Sequence, residues 1–215
     1  MITIETIQEN YRNYTDSKLF EIARNPKGMR KDVIPILKNE LVKRQLNPQL
    51  IKWINYETNV FEGTERELLK YKITSSYCTK CNLNMNLKGY HFNTKISCLV
   101  EIKNDSLDKI ICQECAKKER IKSMTTTLFL GWWSKSGILS TPFVLIDDFV
   151  KLFSIEKQSE LILDEFIDNN TGYLRILFER KSDLYSLLTT FNNKGIDGKE
   201  QPNYLEFLEL LEVFK

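Results

Sequence analysis

Hydrophobic positions along this chain change period twice. Through residues 1–57 they recur at helical spacing. Leu19, Ile22 and Ala23 follow Thr15 or Asp16 as the candidate N-cap of one helix. After a breaker at "NPKGM" (Asn25 to Met29), Val33, Ile34, Leu37, Leu41 and Val42 share one face, with Lys38, Glu40, Lys43 and Arg44 mostly opposite. Pro35 fits such a helix only in its first turn, where the missing N–H costs nothing, which places the start near Lys31 or Asp32. A third short helix is expected over "NPQLIKWINYE", and "TERELLKYKI" from Thr64 is read as a helix or connector.

Between residues 87 and 103 the period becomes two. In "KISCLVEIK", Ile96, Cys98, Val100 and Ile102 alternate with Lys95, Ser97, Leu99, Glu101 and Lys103. "GYHFN" before it is the expected partner strand, "DKIIC" (Asp108 to Cys112) a third, and "KNDS" (Lys103 to Ser106) the turn between. Helical spacing returns in "AKKERIKSMTTTLFL", is interrupted at Gly131, Gly137 and Pro142, and resumes in "PFVLIDDFVKLFS" and three later segments. "YLRILFERK" fits either period, and "NNKGIDGKEQP" (Asn192 to Pro202) reads as an exposed loop. The pattern predicts an α+β fold, mostly α. A helical hairpin lies in residues 1–72, a small β region in 73–122 and a helical region in 123–215.

Composition narrows this little. A charged fraction of 28% against 42% hydrophobic residues is ordinary for a folded chain, and a net charge of +2 provides no global field to attract nucleic acid. The opening "MITIETIQENYRNY" has neither a basic n-region nor an apolar h-region, so no secretory signal is expected and a cytoplasmic setting is.

The cysteines change the picture more. Cys78 and Cys81 in "YCTKC" are answered by Cys112 and Cys115 in "ICQEC". Two such turns can present four thiolates to one tetrahedral ion, which predicts a structural Zn2+ site and makes the β region a zinc ribbon. A redox pair would need only one motif beside a βαβ unit, an iron–sulfur cluster fits the two-plus-two spacing around a hairpin less well, and a catalytic zinc would keep an open position. Cys98 lies on the apolar side of its strand and is read as a buried thiol rather than a fifth ligand. His91, the single histidine, is read as a hairpin residue rather than a ligand or base. No nucleophile or phosphate-loop motif accompanies these residues, and Asp147 and Asp148 would point apart on a helix, so no enzyme is expected.

Two further features follow the last cysteine. Lys117, Lys118, Arg120 and Lys122 form a basic run that would lie largely on one side of a helix and is the candidate contact for nucleic acid or another anion. Trp132 and Trp133 then sit in a stretch from Thr125 to Ile146 whose one charge is Lys135. The glycines, Pro142 and that lysine argue against a spanning helix, leaving a packed elbow or an interfacial, membrane-facing hairpin. The paired cysteines, the basic helix and "LFLGWW…G…TP" resemble a group of uncharacterised bacterial zinc-ribbon proteins with a Gly-Trp-Trp segment, over residues 75–190. Here Ser134 and Lys135 stand where many of that group carry glycine. The resemblance implies a fold rather than an activity. The expected function is non-catalytic protein–protein binding, as in a bacterial immunity or adaptor protein. Nucleic-acid binding and peripheral membrane association are the alternatives.

Overall fold

Thr3 and Thr15 each turn a hydroxyl back onto the chain to accept the N–H three residues on, from Thr6 and Lys18, and so start the first two helices. The computed structural model describes residues 3–97, 102–130, 146, 155–180 and 184–194. Among these the chain forms α1 (Ile4–Asn13), α2 (Asp16–Arg24), α3 (Ile34–Lys43), α4 (Pro48–Thr58) and α5 (Gly63–Thr74). Then follow β1 (Leu87–Ser97), β2 (Ile102–Cys112), α6 (Gln113–Leu130), α7 (Ile155–Asn169), α8 (Thr171–Arg180) and α9 (Leu184–Lys194). The fold is α+β and mostly α, as the periodicity predicts. The described residues fall into two units: one holds the chain up to Phe61 together with Ile167 onward through α8, the other Glu62 to Phe166 together with α9.

In the first unit, Leu19, Ala23, Leu37, Leu41, Leu50, Trp53 and Ile54 form a core joined by Ile176 of α8. Pro35 does occupy the first turn of α3, but that helix begins at Ile34, after a turn at Lys31 to Val33. Val42, expected on the buried stripe, is 61% exposed. Its place beside Leu41 puts it a hundred degrees around the helix from the core. Arg44 follows α3 and donates to the carbonyls of Tyr11, Arg12 and Tyr14, closing the open C-terminal end of α1. The ambiguous "YLRILFERK" is helical through Arg180, within α8, and its last residue lies outside the described set.

In the second unit, α5 is tied to α7 by Arg66 and Lys70, both bound to Asp164 at 2.7 and 2.9 Å. β1 and β2 pair antiparallel from Leu87↔Cys112 to Ser97↔Ile102, and α6 packs on β1. The sheet corrects two sequence expectations. "KNDS" is not a turn but part of β2, and the three expected strands are two, joined through residues 98–101, which lie outside the described set. Asn104, Asp105 and Ser106 pair with Lys95, Thr94 and Asn93, so this end of the ribbon is polar on both strands. A polar strand and a turn have the same composition.

Candidate metal centre

The first cysteine turn is closed by backbone. An isolated bridge pairs Tyr77 with Asn84, Cys78 N–H donates to Leu83 O at 3.0 Å, and Asn82 N–H donates to Cys78 O at 2.8 Å. Asn82 takes a left-handed conformation (φ 57°), which asparagine tolerates better than most residues. Cys112 ends β2 and Cys115 stands in the first turn of α6. Because β1 starts at Leu87 opposite Cys112, the long insert between the cysteine pairs folds back as a hairpin and returns the chain to the first turn.

The four Sγ atoms lie within 4.8 Å of one another. Cys81 Sγ and Cys112 Sγ are 3.8 Å apart. A tetrahedron with metal–sulfur bonds of about 2.3 Å has edges of about 3.8 Å, so this thiolate set fits one metal ion. Cys78 and Cys112 are buried, while Cys81 and Cys115 are half-buried.

Electrostatics distinguishes Cys78 from Cys112 and Cys115. Burial pushes Cys78 up, but the N–H groups of Cys112, Lys80 and Cys81 converge on it and outweigh burial, holding it at about 7. The Cys112 N–H lies 3.5 Å from Cys78 Sγ. Cys112 is raised by burial although the Cys115 N–H favours its thiolate, and Cys115 is raised by burial and by its bonds to Cys112 and Cys81. Cys78 is thus prepared as a thiolate by the backbone, while Cys112 and Cys115 resist ionising until a cation offsets the repulsion.

Several braces that hold this centre have no local sequence signature. Glu119 of α6 binds Lys80 from the first turn at 3.3 Å and Lys109 of β2 at 2.8 Å. Burial works against its ionisation, but the two lysines hold its carboxyl below the usual range. Asn192 of α9, expected in an exposed loop, is buried. It accepts the Ile110 N–H, donates to Ile110 O and donates to Thr79 Oγ1 between the first two cysteines. Tyr185 donates to Asn82 Oδ1 at 2.5 Å. Across the ribbon, Gly89 N–H donates to Ser159 of α7 at 2.8 Å. A Cβ at Gly89 would sit 2.6 Å from Ile162 Cβ, so only glycine admits α7 there.

The remaining candidates are dispersed. Lys117, Lys118 and Lys122 are exposed on α6, with Lys117 bound to Glu114 at 2.9 Å. Arg120 does not share their face: it is 8% exposed, 6.0 Å from the Phe92 ring. His91 bridges the two strands, with Nδ1 2.5 Å from Asp108 Oδ1 and Nε2 2.8 Å from Asn93 Oδ1. Ser106 Oγ lies 3.3 Å from the same Nε2. The histidine ties β1 to β2 through Asp108 and Ser106. Cys98, Trp132 and Trp133 lie outside the described residues.

Among the described residues, no helix is long and apolar enough to cross a membrane. No family model matches the sequence, and no curated protein or solved structure is significantly similar to it.

Proposed function

We propose that this is a non-catalytic binding protein of the bacterial cytoplasm, braced by one structural Zn2+ and acting on another protein. The observation that carries the reading is the convergence of Cys78, Cys81, Cys112 and Cys115 on one point. Four thiolates complete a tetrahedral sphere and leave no position for substrate or water, whereas catalytic zinc keeps one open. Zinc is chosen over iron because the donors come as two turns on the end of a hairpin, and over a disulfide pair because a reducing compartment keeps such thiols for metal. An immunity or adaptor protein, which neutralises or presents a cognate partner, is the concrete form we favour. Nucleic-acid binding through α6 is the weaker alternative, since burial removes Arg120 from the exposed set and Glu114 offsets Lys117.

The test begins with the full chain purified from its native cell, with metal and associated protein measured on one sample. About one zinc per chain is expected, together with a partner that rebinds when both components are purified. That complex should fail to form with Cys112→Ser. Metal-free protein that is fully folded, or a partner complex indifferent to zinc, would refute the reading.

A further inference from the structure

The four sulfurs of the cluster differ in what can reach them. Cys78 and Cys112 are fully buried, whereas Cys81 and Cys115 are half-buried. Cys81 opens onto residues 82–86, every one of them exposed, while Cys115 is followed by the buried Ala116. Cys81 is therefore the sulfur that a small solute meets first. Its nearest measured neighbour is Cys112, whose Sγ lies 3.8 Å away and which belongs to the other turn, 31 residues on in the chain. An accessible thiolate beside a second, sheltered one is the arrangement of a peroxide-reactive cysteine with its resolving partner. Bound metal supplies the thiolate character, since it keeps its ligands deprotonated.

We propose that the cluster is a peroxide-responsive switch, in which oxidation of Cys81 and Cys112 to a disulfide releases the metal. The proposal rests on the zinc reading above. The Cys81 thiolate attacks one oxygen of the peroxide, the O–O bond breaks, and hydroxide leaves from a sulfenic acid on Cys81. The Cys112 thiolate then attacks that sulfur, the S–O bond breaks, and a second hydroxide leaves. The two sulfurs give up two electrons, which reduce the peroxide. To form the bond the Sγ atoms close by about 1.8 Å, to the usual disulfide length of about 2.05 Å. Both lose the negative charge that held a cation, so the metal keeps two donors of four and departs.

The identity of the pair decides what the oxidised protein becomes. Disulfides within each C-x-x-C would leave the first turn and the end of the ribbon unconnected once the metal had gone. A Cys81–Cys112 bond joins the same two elements that the metal joined, so the sulfurs stay together. A reducing compartment then restores the thiolates in place for reloading.

Full-length protein, first shown to carry about one zinc per chain, is treated with hydrogen peroxide, desalted and measured again. Zinc should be lost, non-reducing peptide mapping should show Cys81 linked to Cys112, and dithiothreitol with added zinc should restore the metal. Cys81→His keeps a zinc donor but removes the reactive sulfur, and should hold its metal through the same treatment. Mapping of the parent protein needs no variant, so the proposal stays open to refutation if that substitution impairs folding. Zinc retained in the parent after peroxide, disulfides confined within the two motifs, or a loss of zinc that dithiothreitol does not reverse would each overturn the switch. Folded protein that carries no zinc before peroxide is added would refute the metal reading itself, and the switch would fall with it.

Discussion

Asn192 stands in for a third strand at the open edge of the ribbon. One amide accepts the N–H of Ile110 at 2.7 Å, donates to its carbonyl at 2.9 Å, and donates again to Thr79 Oγ1 at 2.9 Å. Ile110 is fully buried, so both of its backbone groups depend on that side chain. Asn192→Ala should cost about 2–4 kcal/mol, since each orphaned buried group costs about 1–3 kcal/mol. Asn192→Asp should recover little, because a carboxylate keeps the acceptor, loses both donors and adds a buried charge. Urea midpoints of the three proteins decide the matter, and coincident midpoints would show that the amide is dispensable. The contrast with the cysteines is instructive. Thiolates at Cys78, Cys81, Cys112 and Cys115 are legible because metal chemistry demands that residue type at that spacing. Asn192 acts on a residue 82 positions away and sits among residues that read as loop, so nothing local distinguishes it.

At the scale of elements, the start of α8 is capped by another helix. Glu57, in the last turn of α4, is 7% exposed and accepts the Gly172 N–H at 2.9 Å. A carboxylate at a helix N-terminus is electrostatically favourable, and Gly172 is required because a Cβ there would collide with that carboxylate and lie 3.2 Å from Trp53 Cζ3. Burial nevertheless raises the Glu57 carboxyl above its usual value, against the Gly172 N–H and the Lys27 charge, which lower it. A folded-state value above the unfolded one means that the group's contribution to stability is fully present below the unfolded value. That contribution is lost as pH rises through the folded value. Glu57→Gln keeps an acceptor for Gly172 and removes the titration. Its thermal midpoint should match or exceed the parent's at neutral pH, and this advantage should shrink as pH falls below the ordinary glutamate range. A deficit of equal size at both pH values would sink the assignment. The helix Glu57 caps was itself ambiguous in sequence for a related reason. Tyr173, Leu174, Ile176 and Leu177 are all buried, so α8 has no polar stripe from which a period could be read.

On the scale of the molecule, sequence boundaries at 72 and 122 describe the order of composition along the chain, while the compact units are discontinuous in it. The first unit is left at Phe61 and rejoined at Ile167, and no composition change marks that return. The four-cysteine cluster that could hold a metal lies wholly in the second unit, where it joins the first cysteine turn, the end of β2 and the start of α6. Structural zinc binds with about 10–16 kcal/mol in small finger peptides, comparable to the roughly 5–15 kcal/mol that stabilises a whole domain. Chelating the metal should therefore remove most of what holds the second unit. Amide hydrogens of β1, β2 and the first turns of α6 should lose protection. Those of α1 to α4, whose core is built from Leu19, Leu37, Leu41 and Trp53, should keep theirs. Acid should reach the same state without chelator, because burial raises Cys112 and Cys115 and both must surrender protons to bind metal. Zinc retention should accordingly fall as pH drops, since every ligand must stay deprotonated to hold the metal. Hydrogen exchange with metal content measured in parallel tests this directly. Protection lost evenly across both sets of helices, or unchanged in the ribbon after the metal has gone, would show that the four cysteines do not carry the second unit.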